Sequence, residues 1–112
     1  MINVGLQLRF TVSGVTREEL RLHVDAVMDQ LLVLEEAAGA VVHSGAVSLD
    51  LGSSKVTIEL VGVGETFDEA QAAADGAVRT AIHVAGGHTP GWNREGEPTY
   101  ERDAVRAELI DA

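Results

Sequence analysis

Apolar residues occupy every even position from Ile2 to Val12, while Asn3, Gly5, Gln7, Arg9, Thr11 and Ser13 fall between them. A period of two sends one set to a buried face and the other to solvent, so this segment reads as a half-buried strand. Gly14 breaks the strand and the period changes. Leu20, Val24, Val27, Leu31 and Leu34 recur every three or four residues, which is the stripe of an amphipathic helix. Thr16, followed three places later by Glu19, has the form of a capping box. The helix is therefore expected to start at Thr16 and run to about Ala38, with Gly39 ending it.

A second strand is expected between Val41 and Leu51, with Val47, Leu49 and Leu51 on one face and Ser48 and Asp50 on the other. Gly52-Ser53-Ser54-Lys55 is a turn cluster that suits a hairpin. The third strand, Val56 to Val63, puts Val56, Ile58 and Leu60 on one side. Thr57, Glu59, Val61 and Val63 fall on the other. Thr66 and Glu69 form a second capping box. The helix they open is lined mainly by alanine and stops at Gly86-Gly87. Each alanine buries little apolar area, so this helix contributes less burial than the leucine-rich first one. His88 to Pro98 has the composition of an irregular loop. Beyond it, Ala104 to Ile110 reads as a fourth strand or as part of a short helix from Tyr100.

The two strand-to-helix passages echo each other at an offset of fifty residues: Phe10 to Leu20 is answered by Leu60 to Ala70. Each is a strand, a glycine, a spacer, then a threonine with an acid three places on. Such an echo points to a duplicated architecture. The element order β-α-β-β-α-β resembles the ferredoxin-like, split β-α-β arrangement. The resemblance rests on topology and capping rather than on a family motif. It implies an α+β sandwich: an antiparallel sheet with the first and third strands central, both helices on one face, and an irregular C-terminal tail. Residues 1–112 then form a single domain, with a core over 1–86 and an extended tail over 87–112. The topology hosts many unrelated functions and transfers no activity.

Charge narrows the choice of partners. Eight basic and 18 acidic side chains leave a formal net charge of -10, and the basic residues are scattered. Such a field repels nucleic-acid phosphates and anionic lipid surfaces, so neither nucleic acid nor membrane is expected as a partner. The absence of cysteine excludes disulfides and thiolate chemistry. No apolar run reaches the roughly 18 residues of a membrane span, and the alternating N-terminus is unlike a signal peptide, so the expected location is cytoplasmic. No motif calls for a cofactor.

Four groups of residues are candidates for function. Gly14 and Gly64 stand where strands hand over to helix N-termini, which favour anions. In amino-acid-sensing regulatory domains of this topology, equivalent glycine turns help hold the ligand. The resemblance thus implies Gly14, Thr16, Gly64 and Thr66 as contacts for an amino acid or small anion. Against this, the Thr and Glu caps with Glu18 and Asp68 already fill each N-terminus. His83 and His88 are candidate metal ligands together with Glu95 or Glu97, although the spacing matches no metal motif. A histidine near a helix C-terminus is also favourable to the dipole without any metal. His23 flanks the core stripe and reads as a partly buried or interfacial histidine. The serines lack a nucleophile context, and Arg21 beside Asp25 reads as a surface pair.

The fourth group is apolar. Met28 and Leu32 fall off the core stripe of the first helix, and Val42, Ala46, Val61 and Val63 are expected on the sheet face turned away from the helices. Trp92, the only tryptophan, either anchors the tail or inserts into a neighbouring subunit. Clustered apolar groups of this kind mark contacts. The leading expectation is therefore a non-enzymatic homo-oligomeric interaction or binding module. The alternatives are a small-molecule sensor that binds near the strand-helix turns, and a small enzyme or metal-binding protein using His83 and His88.

Overall fold

The computed structural model describes residues 1–87 and 98–110. The elements follow in the order β1 (Ile2–Ser13), α1 (Arg17–Glu36), β2 (Val42–Asp50), β3 (Lys55–Gly64), α2 (Phe67–Val84) and β4 (Thr99–Ile110). The four strands form one antiparallel sheet in the order β2-β3-β1-β4. Val4, Leu6, Leu8, Phe10 and Val12 of β1 are buried, as are Val56, Ile58 and Leu60 of β3. Leu20, Val24, Val27 and Leu31 of α1 and Ala74, Val78, Ala81 and Ile82 of α2 join them in one core. Both helices thus cover the same side of the sheet.

Both helices begin as their sequence signals require. The Thr16 hydroxyl accepts from the Glu19 amide, and the Thr66 hydroxyl from the Glu69 amide, each at 3.2 Å. The Glu69 carboxylate turns back onto the Glu65 amide at 3.0 Å. The ends differ. α1 stops at Glu36, two residues short of the expected Ala38, because its C-cap Ala37 is already extended. α2 ends in a Schellman arrangement: the Gly87 amide donates to the Ile82 carbonyl, the Gly86 amide to His83, and Gly86 takes φ 95°.

Two bulges decide which side chains face the helices. In β2, His43 pairs with Val61 and Ala46 with Glu59, so Ser44 and Gly45 together oppose one residue. Ser44 takes φ 59°, and the Gly45 amide donates to the Glu35 carboxylate of α1 at 3.0 Å. The extra residue reverses the alternation. Val42, expected with Ala46 on the uncovered face, instead points into the core and is buried. In β4, Arg9 pairs with Ala104 and Phe10 with Arg102, leaving Asp103 as the extra residue. The strand starts at Thr99, five residues before the expected Ala104, because this bulge breaks the period of two. Tyr100 lies on the helix side before the bulge, and Val105, Ala107 and Leu109 lie there after it. The segment expected as a tail thus supplies an edge strand beside β1.

α2 lies very close to β3. A Cβ at Gly62 would stand 1.9 Å from the Ala70 carbonyl oxygen, and one at Gly64 would stand 2.7 Å from the Ala70 nitrogen. Only bare backbone fits there. α2 consequently sits over β3 and β1 and scarcely touches β4.

Gly62→Ala is expected to destabilise the fold by about 3 kcal/mol, because backbone must move to admit the methyl group. Gly76 lies on α2 with open space around it. Gly76→Ala is expected to stabilise by about 1 kcal/mol through helix propensity. Urea unfolding of both variants tests the pair; a Gly62→Ala midpoint equal to wild type would refute the close approach.

Candidate functional site

β1 and β3 run antiparallel, with Ile2 opposite Gly64 and Thr11 opposite Lys55. The two strand-helix junctions therefore lie at opposite ends of the sheet. Gly14 is exposed and takes φ 86°, whereas Gly64 is buried against α2. Thr16 and Thr66 spend their hydroxyls on their own helices. The four residues Gly14, Thr16, Gly64 and Thr66 do not converge within one subunit.

Three arrangements carry chemistry. The first is a buried pair. Tyr100 is fully buried, its ring stands edge-on to Phe10 at 5.6 Å, and its hydroxyl lies 2.8 Å from His23 Nδ1. The edge of the imidazole packs against Gly87, where a Cβ would lie 2.9 Å from His23 Cε1. His23 Nε2 is buried and makes no hydrogen bond of ordinary geometry with the described residues, although the Ala85 backbone lies close enough to act on the ring. Burial lowers the His23 pKa from its ordinary 6.5, partly offset by the Ala85 backbone, and burial raises that of the Tyr100 phenol. The pair is therefore neutral at neutral pH. It ties α1 to β4 and to the end of α2.

The second arrangement is the uncovered sheet face. Cross-strand pairing places Asn3, Gly5, Gln7, Arg9 and Thr11 of β1 beside Lys55, Thr57, Glu59, Val61 and Val63 of β3. Gln7 donates to Glu59 at 2.9 Å. Asp103, put here by its bulge, accepts from Thr11 and lies 3.3 Å from the Lys55 ammonium. The Thr11 hydroxyl and then Lys55 hold its carboxyl below the usual carboxylate range. His43 sits on the same face beside Ser44 and Asn3, at 2.8 and 3.4 Å. A shallow depression of about 320 Å³ opens over Gly5, with Gln7, Glu59, Val61, Arg106, Glu108 and Ile110 around it.

The third is the β4 edge. Val105 is 45 % exposed, Leu109 56 % and Ile110 41 %. Val105 and Leu109 stand on the helix side, where α2 does not reach. A cleft of about 220 Å³ separates β4 from α2 there, crossed by an Arg102–Asp75 ion pair.

The other candidates are dispersed. Met28 is half-buried against the core, and Leu32 is exposed on α1. Val61 and Val63 are half-buried on the uncovered sheet face. His83 is half-buried near the end of α2. His88, Trp92, Glu95 and Glu97 lie outside the described residues. Among the described residues no group of three or more His, Asp or Glu side chains could hold a metal ion, and no helix is long and apolar enough to cross a membrane. Sequence reasoning did not join His23 to Tyr100: they are 77 residues apart, and no local pattern links them.

No protein-family model matches the chain, and no curated protein matches it. Among solved structures it is similar to a protein from Chloroflexus aurantiacus J-10-fl that bears a provisional name as an antibiotic biosynthesis monooxygenase. The two share 15 % identity with a TM-score of 0.51, over 98 % of this chain and 94 % of the other. The fold is ferredoxin-like. At this identity the likeness carries the fold alone, and a fold hosts many chemistries.

Because folding selects the neutral imidazole of His23, the unfolded chain binds more protons in the window just below pH 6.5. Stability from this group is full above pH 6.5 and falls as the pH drops through it. Urea midpoints measured from pH 7.5 to 5 are expected to decline more steeply for wild type than for His23→Gln. Parallel curves would show that His23 is not selected in its neutral form.

Proposed function

We propose that this chain is a self-associating binding module rather than an enzyme. One observation carries the reading: large apolar side chains stand exposed together on the edge strand β4, namely Val105, Leu109 and Ile110. Long edges of this kind, with unpaired backbone and apolar side chains, are templates for pairing with another chain. Val61 and Val63 extend the apolar area across the uncovered sheet face. The buried His23–Tyr100 pair reads as a structural tie between elements, since both groups are neutral and the phenol is closed to solvent.

A second reading, a small-ligand sensor, is favoured by the depression over Gly5 on the uncovered sheet face. With Gly14 and Gly64 at opposite ends of the sheet, a ligand held by both turns would need two subunits. A thermal-shift screen with amino acids and small anions tests it, and an unchanged melting temperature across the panel would count against it. The activity named for the Chloroflexus aurantiacus protein is not carried over, because only the fold is shared.

Light scattering behind gel filtration tests the leading reading. The chain is expected to elute and scatter as a dimer or larger at micromolar concentration. A clean monomer up to about 100 µM, where an affinity in the ordinary range for specific association would show, refutes it.

A further inference from the structure

Among the described residues β4 pairs with β1 on one side only, and its outer side carries the most suggestive unused chemistry. Its bulge is confined to Asp103. From Ala104 to Ile110 the strand is regular, and every residue but the half-buried Ala107 is exposed. Arg106 and Glu108 point to the uncovered face, and among the described residues neither has an ion-pair partner. The opposite edge, β2, is interrupted by the Ser44 bulge, a device that discourages pairing.

We propose that β4 pairs antiparallel with β4 of a second copy about a twofold axis through Ala107, joining two four-stranded sheets into one. The proposal rests on the self-association argued above and names its geometry. In this register Arg106 of each copy faces Glu108 of the other, so two opposite-charge pairs form on the uncovered face. On the helix side Val105 meets Leu109, again twice, covering the two apolar groups that α2 leaves bare. Ala104 lies opposite Ile110, and the small Ala107 meets its own mate at the axis. The segment is thus complementary to itself in charge and in apolarity, as an isologous interface requires. Neighbouring registers are not: moving the axis one residue either way sets Arg106 against Arg106 or Glu108 against Glu108. Like charges directly opposite across strands repel.

Charge exchange tests the register. Sedimentation at low salt is expected to show a wild-type dimer. Arg106→Glu alone, or Glu108→Arg alone, turns both attractive pairs into repulsive ones and raises the dimer dissociation constant about tenfold or more. The double variant Arg106→Glu/Glu108→Arg restores the opposite pairing and returns the constant to near the wild-type value. These side chains are exposed, and circular-dichroism melts check that each variant is folded.

A covalent test is independent of charge. The chain has no cysteine. Ala107→Cys places one thiol within disulfide reach of its mate at the axis, so mild oxidation is expected to yield a covalent dimer. Ala104→Cys, whose mate would be about 20 Å away, is expected not to crosslink. A wild-type dimer that ignores the single reversals, is not restored by the double exchange, or crosslinks no better through residue 107 than through 104 overturns this register while self-association stands. A wild-type monomer overturns both.

Discussion

The contact that organises this domain is backbone against backbone. Gly62 of β3 lies under Ala70 of α2 so closely that a methyl group at Gly62 would overlap the Ala70 carbonyl oxygen. Gly64, Ala70 and Ala74 continue the same small-residue seam. The seam fixes the lateral position of α2. A helix lined by alanine must come this close to bury useful area, and having settled over β3 and β1 it leaves the stretch of β4 from Val105 to Leu109 uncovered. The exposure of Val105 and Leu109 follows from that placement. The bare apolar edge of β4 is thus the consequence of a packing choice made two strands away.

The same seam separates the two strand-helix passages, whose sequences look alike. Both repeat a strand, a glycine, a threonine cap and a helix. In the first half Gly14 supplies a positive φ and remains exposed. In the second half Gly64 supplies absence of a side chain under a helix. One residue type at equivalent positions meets two different physical demands. The helices they launch differ as well: α1 buries leucines and valines, whereas α2 buries mostly alanines.

The bulges act on a different scale. One extra residue in β2 turns Val42 from the uncovered face into the core, and the freed Gly45 amide is taken up by Glu35. One extra residue in β4 sends Asp103 to the uncovered face beside Thr11 and Lys55, while Tyr100 stays on the helix side within reach of His23. Both bulges lie on edge strands, where losing a ladder bond costs least.

Alternation and capping, both local properties, were sufficient to determine most of the architecture from the chain itself. The period of two in β1 and β3, the three-four stripe of α1 and the two threonine caps lead directly to β-α-β-β-α-β, and that order admits few topologies. The echo at fifty residues marked two strand-to-helix passages of similar sequence, whose glycines Gly14 and Gly64 occupy dissimilar junctions. What only the tertiary structure decided depends on distance in space. A bulge leaves no mark on composition, so the side taken by Val42 and the true start of β4 were hidden. His23 and Tyr100 meet because α1 starts at the end of the sheet where β4 begins, so its second turn lies over the first residues of β4, and residues so far apart in sequence carry no shared signal. Which apolar groups remain uncovered depends on how closely a helix can approach a strand, and that is set by the two surfaces together.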